Sequence, residues 1–115
     1  MTSDPNTILV ASADDALVAT LADSLHASGY RVCSSWESAE ADPDVIVLDA
    51  ALPPAARASL VARANRKRPI VALTSREDVR QTAAEDGVWV CLAKPVEVDN
   101  LVLALDRITG FEAAA

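Results

Sequence analysis

Aromatic residues are scarce: two Trp, one Tyr and one Phe make up 3% of a chain that is 51% hydrophobic. A core must therefore be assembled from Ala, Val, Leu and Ile, a composition suited to helices packed on a sheet. Cysteine is nearly absent too. Cys33 and Cys91 each fall inside a strand-like run, without metal-ligand spacing or a short secreted framework, and read as small buried hydrophobes of a reducing compartment. Positive charge is in the minority, with ten Lys and Arg against seventeen Asp and Glu and a formal net charge of −7. That balance argues against a surface that grips nucleic-acid phosphates. The one basic cluster, Arg63, Arg66, Lys67 and Arg68, precedes Pro69 at the expected end of a helix, where the helix dipole favours cations. No apolar run approaches the roughly twenty residues of a membrane span, and no charged-then-apolar leader opens the sequence. These absences point to a cytoplasmic protein with neither a membrane nor a nucleic-acid partner. The single His26 falls in the first helix, away from the residues singled out below, and is assigned no chemistry.

A length of 115 residues bounds one compact domain, 1–115, with one modest core. Residues 1–6 are polar, contain Pro5 and show no period, so they read as a flexible lead-in. Thr7 to Ala11 is the first buried strand. Leu17, Val18, Leu21 and Leu25 then recur at helical spacing up to Ser28-Gly29, with Asp14 or Asp15 as the cap. Tyr30 to Ser34 forms a second strand, and Ser35 to Ala41 holds at most one or two helical turns, with Trp36 beside them as either a packing residue or, if exposed, an anchor for a partner. Val45 to Leu48 is short, β-branched-rich and apolar on both faces, the pattern of a strand in the middle of a parallel sheet. It runs straight into Asp49. After Pro53-Pro54 comes an Ala-rich helix carrying Leu60 and Val61, with Arg57 and Arg63 turned outward, and Pro69 closes that unit. Ile70 to Thr74 is a fourth strand, Glu77 to Asp86 a weakly amphipathic helix, and Val88 to Leu92 a fifth strand. The last helix bears Val98, Leu101, Val102, Leu105 and Ile108 on one stripe and is expected to stop at Gly110, leaving 111–115 as a helix tail or truncated linker. Five strands alternating with five helices, each crossover right-handed, give an α/β fold, a doubly wound parallel sheet.

In open sheets of this kind, ligands and chemistry sit at the carboxyl edge. The strand ends bring Ser12 to Asp15, Asp49, Thr74-Ser75 and Lys94-Pro95 to that edge. Singly these residues say little: Asp49 is equally a turn residue before two prolines, Thr74 a β-former and Lys94 a surface lysine. Together, a carboxylate, a hydroxyl and an ammonium on three strand ends suit receipt of a phosphoryl group. Asp49 would be the nucleophile, Thr74 a hydrogen-bond donor and Lys94 the neutralising charge.

Asp49 followed by Leu52-Pro53, Thr74 closing strand four and Lys94-Pro95 after strand five resemble the receiver domain of bacterial two-component response regulators, and the resemblance covers nearly the whole chain. It implies a flavodoxin-like, CheY-like three-layer sandwich whose five strands are ordered 2-1-3-4-5. It implies phosphoryl transfer from a histidine kinase or phosphotransfer protein to Asp49, with Thr74 as the switch hydroxyl and Lys94 as partner of the phosphoryl oxygen. A cis Lys94-Pro95 bond is implied as well. No turnover is expected beyond self-phosphorylation and dephosphorylation at Asp49, so the chain is not read as an enzyme. The resemblance also implies homodimerisation through the face built by the fourth helix, fifth strand and fifth helix.

The departures from that family are as informative. Receivers end strand one in two adjacent carboxylates that hold magnesium, and ungapped alignment places Ser12 and Ala13 there. Magnesium holds its waters tightly and needs more than one carboxylate, so Asp49 with the Ala51 carbonyl predicts weak or absent binding. Asp14 is the one rescue ligand the loop offers, although capping suits it better. Cys91 stands where the family carries an aromatic ring that turns inward with the switch hydroxyl. Trp89, two residues away and therefore on the same strand face, is a poor substitute. The second helix is short, Pro54-Ala55 replaces a glycine-rich turn after Asp49, and the fourth helix is trimmed. The chain thus reads as an atypical receiver in phosphorelay signalling. The alternative is a phosphorylation-independent pseudo-receiver that binds a protein partner in the unphosphorylated state. An enzyme on this fold is the third reading. Ser12-Ala13-Asp14-Asp15 contains no glycine to cradle a nucleotide phosphate, and a small aspartyl-nucleophile phosphohydrolase normally keeps a second carboxylate two residues on, where Ala51 stands.

Overall fold

Short β-branched runs become strands β1 (Thr7–Ala11), β2 (Arg31–Cys33), β3 (Val45–Asp49), β4 (Ile70–Thr74) and β5 (Val88–Ala93) in the computed structural model, which describes residues 6–37, 42–65, 67–85 and 87–114. All pair in parallel, in the order β2-β1-β3-β4-β5. The order reverses at β1, which pairs with β2 on one side and β3 on the other. That reversal opens the ligand crevice of an open α/β sheet, and it sets the residue after β1 beside the last residue of β3.

Helices α1 (Asp15–Ala27), α2 (Pro54–Ala64), α3 (Val79–Ala83) and α4 (Val98–Ala114) cover the sheet, with a 3-10 turn, Arg76–Asp78, leading into α3. Strand alternation sorts the core into two layers. Ile8, Val10, Val47 and Leu73 face Leu21 and Leu25 of α1 and Leu101 and Leu105 of α4. Leu9, Ile46, Leu48 and Ile70 face Leu60, Val61 and Ala64 of α2. With both faces covered, β3 and β4 are buried at every position, and each Val, Leu or Ile hidden there contributes about 1.5–3 kcal/mol. Tyr30 ties the start of β2 to α4: its hydroxyl donates to Asp106 Oδ1 at 2.5 Å and lies 3.1 Å from Thr109 Oγ1. None of these helices is long and apolar enough to cross a membrane.

Four expectations need correction. Among the described residues there are four α-helices, not five. Residues 34–37 form bends and a turn in place of the start of a second helix, while 38–41 lie outside the described residues. Trp36 does the covering there. Its ring packs on the α2 side of the core, lies 4.5 Å from the Arg63 guanidinium and 5.8 Å from that of Arg68, and its Nε1–H donates to Asp42 at 3.0 Å. Arg63 and Arg68 also pair with Glu37 and Asp42, so these two members of the basic cluster serve the fold; Arg66 lies outside the described residues. The helix expected over Glu77 to Asp86 shrinks to five residues after a 3-10 turn. Ser75 sets that turn by accepting the Asp78 amide and donating its hydroxyl to the Asp78 carboxylate.

Gly110 does not stop the last helix, which continues to Ala114. Glycine ends a helix by taking a left-handed conformation, as Gly29 does at φ 94°, and Gly110 is not among the positive-φ residues. Lastly, Trp89 does not share a face with Cys91. Ile70 pairs with Val88 but Val71 with Val90, so Trp89 is the extra residue of a bulge that breaks the two-residue period. Val88 accordingly packs on the α2 side, whereas Val90 and Leu92 pack on the α1 and α4 side. Trp89 is 62% exposed and borders a groove with Leu92 and Leu103. Residues 1–5 of the expected lead-in lie outside the described residues, while the Asn6 carbonyl already accepts the Arg31 amide.

Candidate functional site

Asp49 is the last residue of β3 and is 3% exposed. The ladder continues past it, with the Ala50 amide donating to the Leu73 carbonyl at 2.8 Å. On the far side of β4, the Lys94 amide donates to the Thr74 carbonyl at 2.7 Å, and the Lys94-Pro95 bond is cis. These backbone ties anchor Lys94, whose Nζ reaches Asp49 Oδ1 at 2.6 Å. The Ala51 amide donates to the same oxygen at 2.9 Å. The other oxygen, Oδ2, accepts the Ser12 hydroxyl at 2.7 Å, and Ser12 Oγ in turn accepts the Asp14 amide at 3.0 Å. Burial pushes the Asp49 pKa up, but hydrogen bonds from Lys94, Ala51 and Ser12, with the Lys94 charge, outweigh it and hold the carboxyl below its ordinary value. The site therefore presents an ionised carboxylate with donors on both oxygens.

Thr74, at the end of β4, is buried, and its Oγ1 accepts the Thr82 hydroxyl at 3.3 Å. It shares a cavity of about 370 Å³ with Ala50, Ala51, Arg57, Thr82 and Lys94. The fold thus brings Asp49, Thr74, Lys94 and Ala51 to one edge, where Lys94 touches Asp49 and borders the cavity. Asp14 is placed differently. Its Oδ1 accepts the Leu17 amide at 3.1 Å, so it is the N-cap of α1, and Asp15 falls in the first helical turn. Among the described residues no three His, Cys, Asp or Glu side chains gather as a metal site. The oxygens around Asp49 are its own carboxylate, the Ala51 backbone carbonyl and the Ser12 hydroxyl, which already donates a hydrogen bond to it. That set does not fit magnesium, which needs several oxygen ligands and more negative charge.

Sequence reasoning missed three residues. Ser12 stood out only as a replaced carboxylate, whereas it is a hydrogen-bond donor to Asp49. Thr82, buried on the short α3, was hidden in a weakly amphipathic stretch. Arg57 was expected outward, yet its side chain is only 28% exposed, it lines the cavity, and its Nε is buried without a hydrogen-bond partner. The signal for it was present: Arg57, Leu60, Val61 and Ala64 fall at i, i+3, i+4 and i+7, the inward stripe of α2. Cys91 is half-buried, and burial followed by the nearby Glu85 charge pushes its thiol pKa up, as expected of a packing thiol rather than a reactive one.

No protein-family model and no curated protein matches the chain. Solved structures do. The signal receiver domain of an HD-domain-containing protein from Pseudomonas fluorescens is 20% identical and aligns over 99% of this chain and 93% of its own with a TM-score of 0.78. The chemotaxis protein CheY4 of Vibrio cholerae is 21% identical over 90% of this chain and 98% of its own, with a TM-score of 0.71. These two likenesses carry the fold. A structure from Chloroflexus aurantiacus, assigned as a response regulator, adds sequence to shape, with 30% identity over 90% of this chain and 97% of its own at a TM-score of 0.75. That shared sequence, laid along the same parallel order of strands, shows that this chain belongs to the response-regulator receiver domains of two-component signalling.

Proposed function

We propose that this domain is an atypical receiver that accepts a phosphoryl group at Asp49 from a histidine kinase or phosphotransfer protein, with magnesium-dependent switching weak or absent. The contact that carries this reading is Lys94 Nζ on Asp49 Oδ1 at 2.6 Å, beside the buried Thr74. At neutral pH the Asp49 carboxylate is ionised, the form that can attack phosphorus. Lys94 is placed to offset the charge of the arriving group, and the Thr74 hydroxyl to donate to one of its oxygens. In the transfer, the bond from phosphorus to the donor imidazole nitrogen breaks as Asp49 forms its bond to phosphorus. The electron pair returns to the nitrogen, which takes up a proton. Weak magnesium binding is supported by the donor set, in which Ser12 donates a hydrogen bond to Asp49 where a second carboxylate would be needed. Incubation with acetyl phosphate, read by intact mass, should add one phosphoryl group to the wild type and none to Asp49→Asn. Equal labelling of both would overturn the assignment of Asp49.

A specific observation favours a second reading. Both Asp49 oxygens already hold hydrogen bonds, from Lys94, Ala51 and Ser12, as in a carboxylate whose task is structural. The domain would then bind its protein partner unphosphorylated, and Asp49→Asn would leave that binding unchanged. The phosphohydrolase reading has Ala51 against it, and turnover of a phosphate ester by the wild type but not by Asp49→Asn would revive it. Self-association is proposed through β5 and α4, where the exposed Trp89 and Leu103 flank an apolar groove of about 660 Å³.

A further inference from the structure

The cavity beside Asp49 holds a cation that the family motif does not account for. Arg57 of α2 lines it together with Lys94, Thr74 and Ala50-Ala51, the two residues that follow Asp49. Its Nε is buried and has no acceptor, an uncommon state for a buried donor, so no hydrogen bond at that nitrogen fixes the guanidinium in place. Two carboxylates also face this cavity, Asp78 and Glu85. Asp78 is occupied by the Ser75 hydroxyl at 2.9 Å. Glu85 Oε1 stands 3.7 Å from Arg57 Nη1, beyond hydrogen-bond length, and is largely exposed, so the guanidinium is not locked by it. Lys94 also reaches Asp49 itself. A planar guanidinium and an ammonium lining one cavity match the oxygens of a phosphoryl group, the guanidinium as a fork and the ammonium as a point charge.

We infer that Arg57 and Lys94 form a two-cation seat for phosphoryl oxygens beside Asp49, so that protein cations supply the charge for which the site lacks metal-binding carboxylates. The inference rests on the reading of Asp49 as phosphoacceptor and adds that transfer to it proceeds without a divalent ion. With acetyl phosphate as donor, the phosphorus to acetyl-oxygen bond breaks and its electron pair leaves on acetate, while an Asp49 oxygen bonds to phosphorus. Arg57 is a positioning and charge-neutralising group in that step, and Glu85 is its competitor.

The test is labelling by acetyl phosphate, followed by intact mass, in EDTA and in magnesium, for the wild type, Asp49→Asn, Arg57→Gln, Arg57→Lys and Glu85→Gln, each checked for folding by circular dichroism. The expected result is comparable labelling of the wild type in both buffers and at least about a tenfold loss in Arg57→Gln. Arg57→Lys should recover part of that loss, and Glu85→Gln should label faster than the wild type. Labelling of the wild type only in magnesium, or unchanged labelling of Arg57→Gln in EDTA, would overturn the seat while leaving Asp49 as acceptor. If no condition labels the wild type, Asp49 fails as acceptor, and inorganic phosphate titrated in EDTA against the Arg57 Nε–H NMR resonance decides the rest. A shift lost in Lys94→Ala keeps the pair as an anion seat; no shift removes it.

Discussion

Asp49 balances opposed forces, and the balance sets how stability responds to acid. Burial raises its pKa, while the hydrogen bonds from Lys94, Ala51 and Ser12 and the Lys94 charge lower it and prevail. A carboxyl whose folded pKa lies below its unfolded value, about 4, contributes stability that is full above the unfolded value and is lost as pH falls through the folded one. The stability gap between the wild type and Asp49→Asn, from urea denaturation at several pH values, should therefore hold steady down to about pH 5 and shrink below it. A gap that stays constant would contradict the ionised network. Ser12 offers a second lever. Ser12→Ala removes a hydrogen bond to a charged oxygen and should cost about 1–2 kcal/mol, read by the same denaturation. Ser12→Asp sets a like charge beside Asp49, so its melting temperature should fall in EDTA and recover with magnesium, whereas that of the wild type should not respond to the metal. At this scale the sequence was legible where a strand end dictates position, as for Asp49 and Lys94. It was not where a side chain's partner lies across the fold: nothing local tells that Ser12 donates to a residue thirty-seven positions away.

Elements were legible in proportion to how local their causes are. The buried strands declare themselves as β-branched runs, and α1 as an apolar stripe behind an Asp cap. Asp14→Ala should destabilise the domain by about 1 kcal/mol in urea denaturation, the usual worth of a cap, and leave labelling of Asp49 by acetyl phosphate unchanged. A fall in labelling would make Asp14 a site residue after all. What escaped the sequence depends on pairing. The bulge at Trp89 arises from how β5 lies on β4, so a strict two-residue period misplaced the ring. Arg57 was missed for another reason: its place on the stripe of Leu60, Val61 and Ala64 was there to read, but an Ala-rich helix gives that face little apolar contrast. Gly110 misled for the opposite reason: glycine permits a helix stop but does not impose one.

For the whole molecule, the parallel order β2-β1-β3-β4-β5 does the assembling, because reversal at β1 and adjacency of β3, β4 and β5 bring four strand ends to one edge. The opposite consequence is an edge strand, β5, with an exposed Trp89 beside α4. If that face joins two copies, sedimentation should show concentration-dependent dimers of the wild type that Trp89→Ala abolishes; identical monomers in both would remove the dimer. The carboxyl edge, on the reading proposed above, is where this domain receives a phosphoryl group. The most direct test is an amide NMR titration of wild type and Asp49→Asn with beryllofluoride, a phosphoryl mimic. Resonances around Asp49, Thr74 and Lys94 should shift in the wild type and stay still in the variant. Silence in both, or equal shifts in both, would contradict that reading.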